Sequence, residues 1–354
     1  MNAGDLIEHY DIIRDLRAEG YGRVRIAAAL KQRGIHVAPH LIQTVIYQME
    51  REDRIPVKVE RGPLDAVAED EPIEEWLSRR AAVSRRKIAK HAKSARTITL
   101  PPEPIAIAVM GDPHMDNDGC DYTALLDDVA LFRDTPGVLV SCVGDVHDNW
   151  IGRLARCYAN SSATASEGWR ASRWLLQDAG LQFLAIVGGN HDAWAHGPGI
   201  DPLKWLSDEC GVTAYDADEL RLTLAWKDRP DLEPLVWILR HDFPGRSLYH
   251  PTHGVHREAI FDGKAHLLTA GHIHQWGTLV TEQRHGRVTH AVRVRGYKRA
   301  DAYARQRGFY EQRHGRTCLV VIDPLAEEPG RLQTWWDLPA GCAHLTRLRA
   351  SRAV

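Results

Sequence analysis

The chain has 354 residues, 44% of them hydrophobic and 26% charged, with a formal net charge of −2. That length points to one large and one small domain of ordinary soluble composition. No run approaches the roughly 18 apolar residues of a membrane helix, and the six cysteines stand singly, without the CxxC pair of a zinc ribbon or redox motif.

The opening segment MNAGDLIEHYDIIRD is too acidic and polar for a secretory signal. A reduced, cytoplasmic protein with no membrane partner is expected. Residues 1–99 hold 18 Lys+Arg against 15 Asp+Glu, and the remainder 27 against 32. Any nucleic-acid binding must therefore rest on local patches.

Residues 1–55 read as three short helices. Leu6, Ile7, Tyr10, Ile13 and Leu16 recur at helical spacing up to a stop at Gly20, and Ile26 to Leu30 form a second apolar run ending at Gly34. After the turn GIHVAP, the residues Leu41, Ile42, Val45, Ile46 and Met49 mark a third helix. Helix, glycine-containing turn and helix make up the helix-turn-helix pattern, and RIAAALKQRGIHVAPHLIQTVI looks like its DNA-binding version. No acidic residue falls between Glu19 and Glu50, whereas Arg23, Arg25, Lys31 and Arg33 are basic, which suits a phosphate backbone. The competing reading is a module that docks on a protein or dimerises.

Residues 56–100 read as a linker followed by a basic helical segment. The linker, 56–75, holds Pro56, Gly62, Pro63 and an acidic cluster from Glu69 to Glu75. Arg79 to Arg96 then carries eight basic residues and no acid, as a nucleic-acid tether or a solvated helix face.

From about residue 101 the texture changes to an α/β domain running to 354. Short apolar runs alternate with amphipathic segments: PIAIAVM (104–110), VLVSCV (138–143), LQFLAIV (181–187), LVWIL (235–239) and HLLTA (266–270). RVTHAVRV, TCLVVID and RLQTWWDL are later strand candidates, and the tail from Gly341 is expected to pack rather than catalyse. Each of the five runs ends in polar residues able to bind metal, and open α/β sheets place their sites beyond strand ends. GDPH supplies Asp112 and His114, and GDVHDN supplies Asp145 and Asp148. GGNHD supplies Asn190, His191 and Asp192, HD supplies His241 and Asp242, and GHIH supplies His272 and His274. Carboxylate, amide and imidazole donors together suit Mn²⁺, Fe or Zn²⁺ rather than thiolate-loving ions.

In their order, D-x-H, G-D-x-x-D, G-N-H-D, H and G-H-x-H, these motifs resemble the calcineurin-like metallophosphoesterase family across residues 111–274. The stretches GDPHMDNDGCD, DNWIGRLARCYA, GGNHDAW, RHDFPGRS and RGYKRADAYARQRGF further resemble family members encoded by tailed phages and prophages. The resemblance implies a two-sheet αββα sandwich with a dimetal site at one sheet edge. It implies two divalent ions, manganese first, and hydrolysis of a phosphate ester by a metal-bridging hydroxide. One metal would take Asp112, His114, Asp145 and His274, and the other Asp145, Asn190, His241 and His272. His191 would act as general acid or stabilise charge on the leaving oxygen, with Asp192 orienting its ring and Asp148 supporting a ligand histidine. Two divalent ions less two carboxylates and one hydroxide leave a single positive charge, which matches a phosphodiester anion.

Substrate contacts are expected from Trp150, Arg153, Arg156, Arg246, His253, Arg295 and Lys298, with His256 a further candidate. Trp150 would either stack a base or pack beneath the site. His147, His196, His250 and His266 are expected at the surface or behind the ligands. Three functions stay open: a DNA-directed phosphodiesterase, a small-molecule nucleotide or cyclic-nucleotide phosphoesterase, and a DNA-binding scaffold whose metal site is regulatory.

Overall fold

The structure, a computed structural model, describes residues 9–18, 21–52, 72–92, 95–197, 199–283, 286–299 and 312–352. The chain divides into two compact units, residues 1–82 and 83–354. No helix among the described residues is long and apolar enough to cross a membrane.

The first unit contains α1 (Tyr10–Ala18), α2 (Arg23–Gln32) and α3 (Pro39–Glu52). Ile13, Ile26, Leu30, Ile42, Val45 and Ile46 are buried together as one small core. Proline at the first position of α3 suits a helix start, where its missing N–H would have no partner in any case. Arg23, Arg25, Lys31 and Arg33 are all exposed. Residues 53–71, most of the expected linker, lie outside the described residues. A helix, α4 (Ile73–Ala92), carries the start of the basic segment across the division between the units.

The second unit is a sandwich of two six-stranded mixed sheets. Its strands are β1 (Ala95–Leu100), β2 (Ile105–Met110), β3 (Val138–Cys142), β4 (Phe183–Val187), β5 (Ala214–Asp216), β6 (Glu219–Trp226), β7 (Leu235–Arg240), β8 (Leu267–Ala270), β9 (Gly277–Glu282), β10 (Val288–Arg293), β11 (Thr317–Ile322) and β12 (Leu332–Trp335). One sheet runs β12-β11-β2-β3-β4-β5 and the other β1-β6-β7-β8-β10-β9. In the first, β2, β3, β4 and β5 are parallel. Such strands are covered on both faces and read as unbroken apolar runs, as IAIAVM and FLAIV do.

The core between the sheets takes Ile105, Ile107 and Val109 from β2, Leu220, Leu222 and Leu224 from β6, and Leu235, Trp237 and Leu239 from β7. The opposite face of β2 and β3 (Ala106, Ala108, Met110, Val140) meets Leu125, Val129 and Phe132 of α5 (Tyr122–Arg133). Further along the chain come α6 (Ala165–Arg173), α7 (Asn190–Trp194), α8 (Pro202–Glu209), α9 (His253–Asp262) and α10 (Leu338–Arg352). On the far side of the second sheet, Val255 and Ala259 of α9 cover Ile238, Leu268 and Ala291. The tail from Gly341 forms part of α10, which buries Cys342 and Leu345 in the same core as α5.

Two strands enlarge the sequence reading. β1 pairs in parallel with β6, so the sheet takes up residues placed before the α/β domain. β6, ELRLTLAW, alternates buried and part-exposed residues along its length, a period-two pattern that marks a half-buried strand. Leu222→Ala, in the middle of β6 and fully buried, is expected to cost about 2–5 kcal/mol of stability. Urea unfolding would check this, and a loss below about 1 kcal/mol would show that β6 is not part of the inter-sheet core.

Candidate metal centre

The predicted site residues come together where the two sheets meet at their strand ends. β2 leads to Asp112 and His114, β3 to Asp145, and β4 to Asn190 and His191 at the start of α7; β7 leads to His241, and β8 to His272 and His274. These strands lie inside the sheets, so the site sits at the ends of interior strands rather than beside a lateral edge.

Among the described residues three trios of donor atoms each lie within 4.8 Å of one another; two consist of expected ligands, Asp112, His114 and His274, and Asp145, His241 and His272, and the third joins His114 to Asp148 and His191. His241 Nε2 is 3.1 Å from Asp145 Oδ2, from Asn190 Oδ1 and from His272 Nδ1, which brings Asn190 into the second trio. His241 Nδ1 donates to the Val143 carbonyl at 2.8 Å, which leaves Nε2 as the nitrogen aimed at the cluster. Six of the seven expected ligands thus fall into these two trios, and Asn190 joins the second through His241.

The chain reaches this geometry through unusual backbone. His114, Asp145, Asn149, His272 and His274 all have positive φ, between 41° and 72°. A non-glycine residue held there costs of order 1–3 kcal/mol, and such strain concentrates at functional sites. Two glycines allow the carboxylates to approach. A Cβ on Gly271 would overlap Asp112 Oδ1, and one on Gly189 would overlap Asp145 Oδ1.

The donor set fits divalent cations. Asp112 Oδ1 and His114 Nε2 are buried with no hydrogen-bond partner, which is costly unless a cation supplies one. Burial acts to lower the His241 pKa, but the Asp145 charge and its hydrogen bond lift it to about 10. Burial acts to raise Asp145, and the neighbouring His241 overrides it and holds the carboxyl well below its usual range. Asp112, chiefly through burial and with the Asp145 charge adding to it, is pushed up to about 7. His241 thus carries the proton that balances the Asp145 charge.

A second layer fixes these groups. Asp148 Oδ1 lies 2.8 Å from His114 Nδ1 and accepts from Lys298 Nζ at 3.0 Å, and its Oδ2 accepts from Asn117. Arg293, 1% exposed, donates to the Gly271 carbonyl and, at 2.9 Å, to Asp242, tying the His241 loop to the His272 loop. Asp116 Oδ1 accepts from the Asp148 N–H at 2.7 Å. Asp116, Asn117 and Arg293 were not singled out by the sequence. Arg293 looks like any polar position in an alternating strand, and nothing in its spacing marks it.

His191 occupies one wall. Its Nδ1 donates to the Asp148 carbonyl, its backbone N–H donates to Asp145 Oδ1 at 2.9 Å, and its Nε2 lies 4.0 Å from Asp145 Oδ2. Burial lowers its pKa to about 4. Asp192 is corrected as a catalytic residue. It is buried and accepts from the backbone N–H groups of Asp145 (2.7 Å), Val146 (3.1 Å) and Gly189 (2.8 Å). It braces the loop that presents Asp145, and no hydrogen bond joins it to the His191 ring among the described residues.

A cleft of about 950 Å³ opens over the centre, lined by His191, Trp150, Leu154, Trp194, Arg246 and Lys298 among others. Arg153 and Arg156 are exposed on the 3-10 helix Gly152–Asn160, which presents Leu154 to the cleft instead. His253 begins α9 and does not line the cleft, whereas His250 does. Trp150 is 7% exposed, with Lys298 5.0 Å over its ring and His191 at its edge, so it packs beneath the site. Arg295 lines the cleft from a buried position. His147 and His266 are buried: His147 Nε2 lies 2.8 Å from Ser172 Oγ, and His266 Nδ1 accepts from the Val236 N–H at 3.0 Å.

No protein-family model and no curated protein matches the chain. Solved structures with similar architecture include a Streptococcus pneumoniae TIGR4 protein described as a predicted phosphoesterase (15% identity, 66% of this chain and 97% of that one, TM-score 0.29). Zinc-bound Vps29 from Entamoeba histolytica also aligns (12%, 65% and 97%, 0.35), as does the calcineurin-like phosphoesterase YfkN from Bacillus subtilis (10%, 71% and 97%, 0.34). The chemistry of this centre is read from its own residues.

Metal binding should expel the proton held at His241. Calorimetric titration of Mn²⁺ at pH 7, in two buffers of different ionisation enthalpy, is expected to show more than one proton released per protein, a full one from His241 and a share from Asp112. Affinity should rise as the pH climbs from 7 toward 10. Equal heats in both buffers would contradict this. Asp145→Asn is expected to lower the bound metal from two ions to one or none, as measured by elemental analysis.

Proposed function

We propose that this chain is a two-metal phosphoesterase of the calcineurin-like type, acting on phosphodiester bonds in DNA as a nuclease or end-processing enzyme. The observation that carries the hydrolase reading is the convergence of Asp112, His114, Asp145, Asn190, His241, His272 and His274, with buried donor atoms left unpaired. When bound, a pair of divalent ions would supply Lewis acidity toward a phosphoryl oxygen and lower the pKa of a shared water. Manganese is the first ion to test, with iron and zinc next.

The protein's own groups do the rest. Asp112 and Asp145 would hold the cations, with Asp145 the carboxylate shared between them. His191, fixed through Nδ1, presents Nε2 toward the same volume. Water adds to phosphorus as the ester P–O bond breaks, and the leaving oxygen takes up a proton. Burial keeps the His191 ring neutral near pH 7, so its Nε2 can take up the proton released by the attacking water and pass it to the leaving oxygen. Lys298 balances the Asp148 charge behind His114.

The DNA preference is supported by the first unit. Its α2-turn-α3 segment exposes Arg23, Arg25, Lys31 and Arg33 and carries no acid from residue 21 to 48. A small nucleotide is the second reading, favoured by a cleft of about 950 Å³ that would enclose a molecule of that size.

His191→Ala should reduce kcat on bis-p-nitrophenyl phosphate by about 10²- to 10⁴-fold in the Mn²⁺-loaded protein. Unchanged turnover would remove His191 from the chemistry. On end-labelled single- and double-stranded DNA, replacing Arg23, Arg25, Lys31 and Arg33 by alanine should weaken binding and flatten its salt dependence, by about 0.9 in log–log slope for each lost duplex-phosphate contact. DNA binding that ignores these changes would count against the module as a guide.

A further inference from the structure

The two sides of the cleft differ in chemistry. Beside His272 stands Arg246, whose guanidinium is 3.3 Å from His272 Nε2 and largely exposed. Beside His191 the wall is aromatic: Trp194 packs 4.2 Å from the His191 ring and Trp150 lies 6.2 Å from Trp194, and the apolar Leu154 lines the same cleft. A phosphodiester group by itself would leave most of a cleft this large unfilled, so the substrate must bring something to this wall.

Trp150 is already committed, with Lys298 over its ring and 7% of its surface exposed. Trp194 is only partly buried and lines the cleft. A flat π-face set against an indole, with an anion held at the neighbouring metals, is the chemistry of a nucleobase attached to a phosphate.

We propose that Trp194, with Leu154 lining the same cleft, forms a nucleobase subsite that receives the nucleoside flanking the scissile phosphate. The proposal rests on the hydrolase reading above and narrows its substrate class to nucleotide esters, whether free or within a strand. Trp194 is a specificity residue here, stacking the base while the phosphate lies at His191 and the residues that would hold the metals.

Adenosine tests this, because it carries the base without the phosphate. Equilibrium dialysis with the Mn²⁺-loaded full-length protein should detect saturable adenosine binding and none of ribose. Trp194→Ala should weaken adenosine binding roughly 5- to 150-fold, the range expected for loss of one stacked base. Trp194→Phe should stay within a few-fold of the parent. Leu154→Gln, on a different element from the metal ligands, should also weaken it, and manganese content measured on each variant separates this loss from a damaged centre. A protein that hydrolyses bis-p-nitrophenyl phosphate but binds no adenosine would overturn the subsite and leave the hydrolase reading intact. Adenosine affinity unchanged in Trp194→Ala with full manganese content would also overturn it. Trp194-dependent adenosine binding without any diester hydrolysis would overturn the hydrolase reading instead, and the subsite would stand.

Discussion

Two carboxylates, Asp112 and Asp145, are buried within reach of the same histidines, and the rest of the site follows from that constraint. Two such groups cannot both stay ionised in a low-dielectric interior without compensating charge. In the metal-free protein the conflict is resolved unequally. Burial pushes Asp112 up to about 7, and His241 holds Asp145 far below its usual range. Divalent cations would relieve it at both carboxylates and would supply partners for the unpaired Asp112 Oδ1 and His114 Nε2.

Holding these groups together requires a rigid frame. The sandwich supplies it by bringing the ends of β2, β3 and β4 from one sheet against those of β7 and β8 from the other. The loops that leave these strands then turn sharply, with His114, Asp145, His272 and His274 in left-handed conformations. Strain of this kind persists only where the surroundings over-determine it. Asp192 on three backbone N–H groups, and Arg293 between Asp242 and the Gly271 carbonyl, are the groups that do so here. Interactions that looked catalytic from the sequence prove in one case to be the bracing on which the ligands depend.

Charge decreases in certainty of purpose with distance from the centre, and shape takes over. Lys298 is spent on Asp148 and Trp150, while Arg153 and Arg156 face away on their 3-10 helix. The wall beside His191 is left aromatic and apolar. The cleft therefore combines an anion-attracting centre with a stacking surface. The exposed basic residues of the first unit belong to a separate body with its own small core.

Much of this was legible in the order of residues. Apolar runs closed by Gly-Asp, Gly-Asn-His, Gly-His and, after LVWIL, His-Asp marked five strand ends and the seven ligand candidates, because metal binding constrains residue type and a strand end constrains spacing. The period-two alternation of ELRLTLAW was equally readable as a strand. What the sequence could not supply was direction. Whether the carboxylate of Asp192 points to a neighbouring ring or to three backbone amides depends on a loop 46 residues away. Whether Trp150 or Trp194 is offered to a ligand depends on which indole Lys298 covers. The donor types were determined by sequence alone, since the chemistry resides in single side chains. Burial, partnership and the face each group presents were decided only by tertiary structure, because those properties belong to the neighbours that distant segments bring.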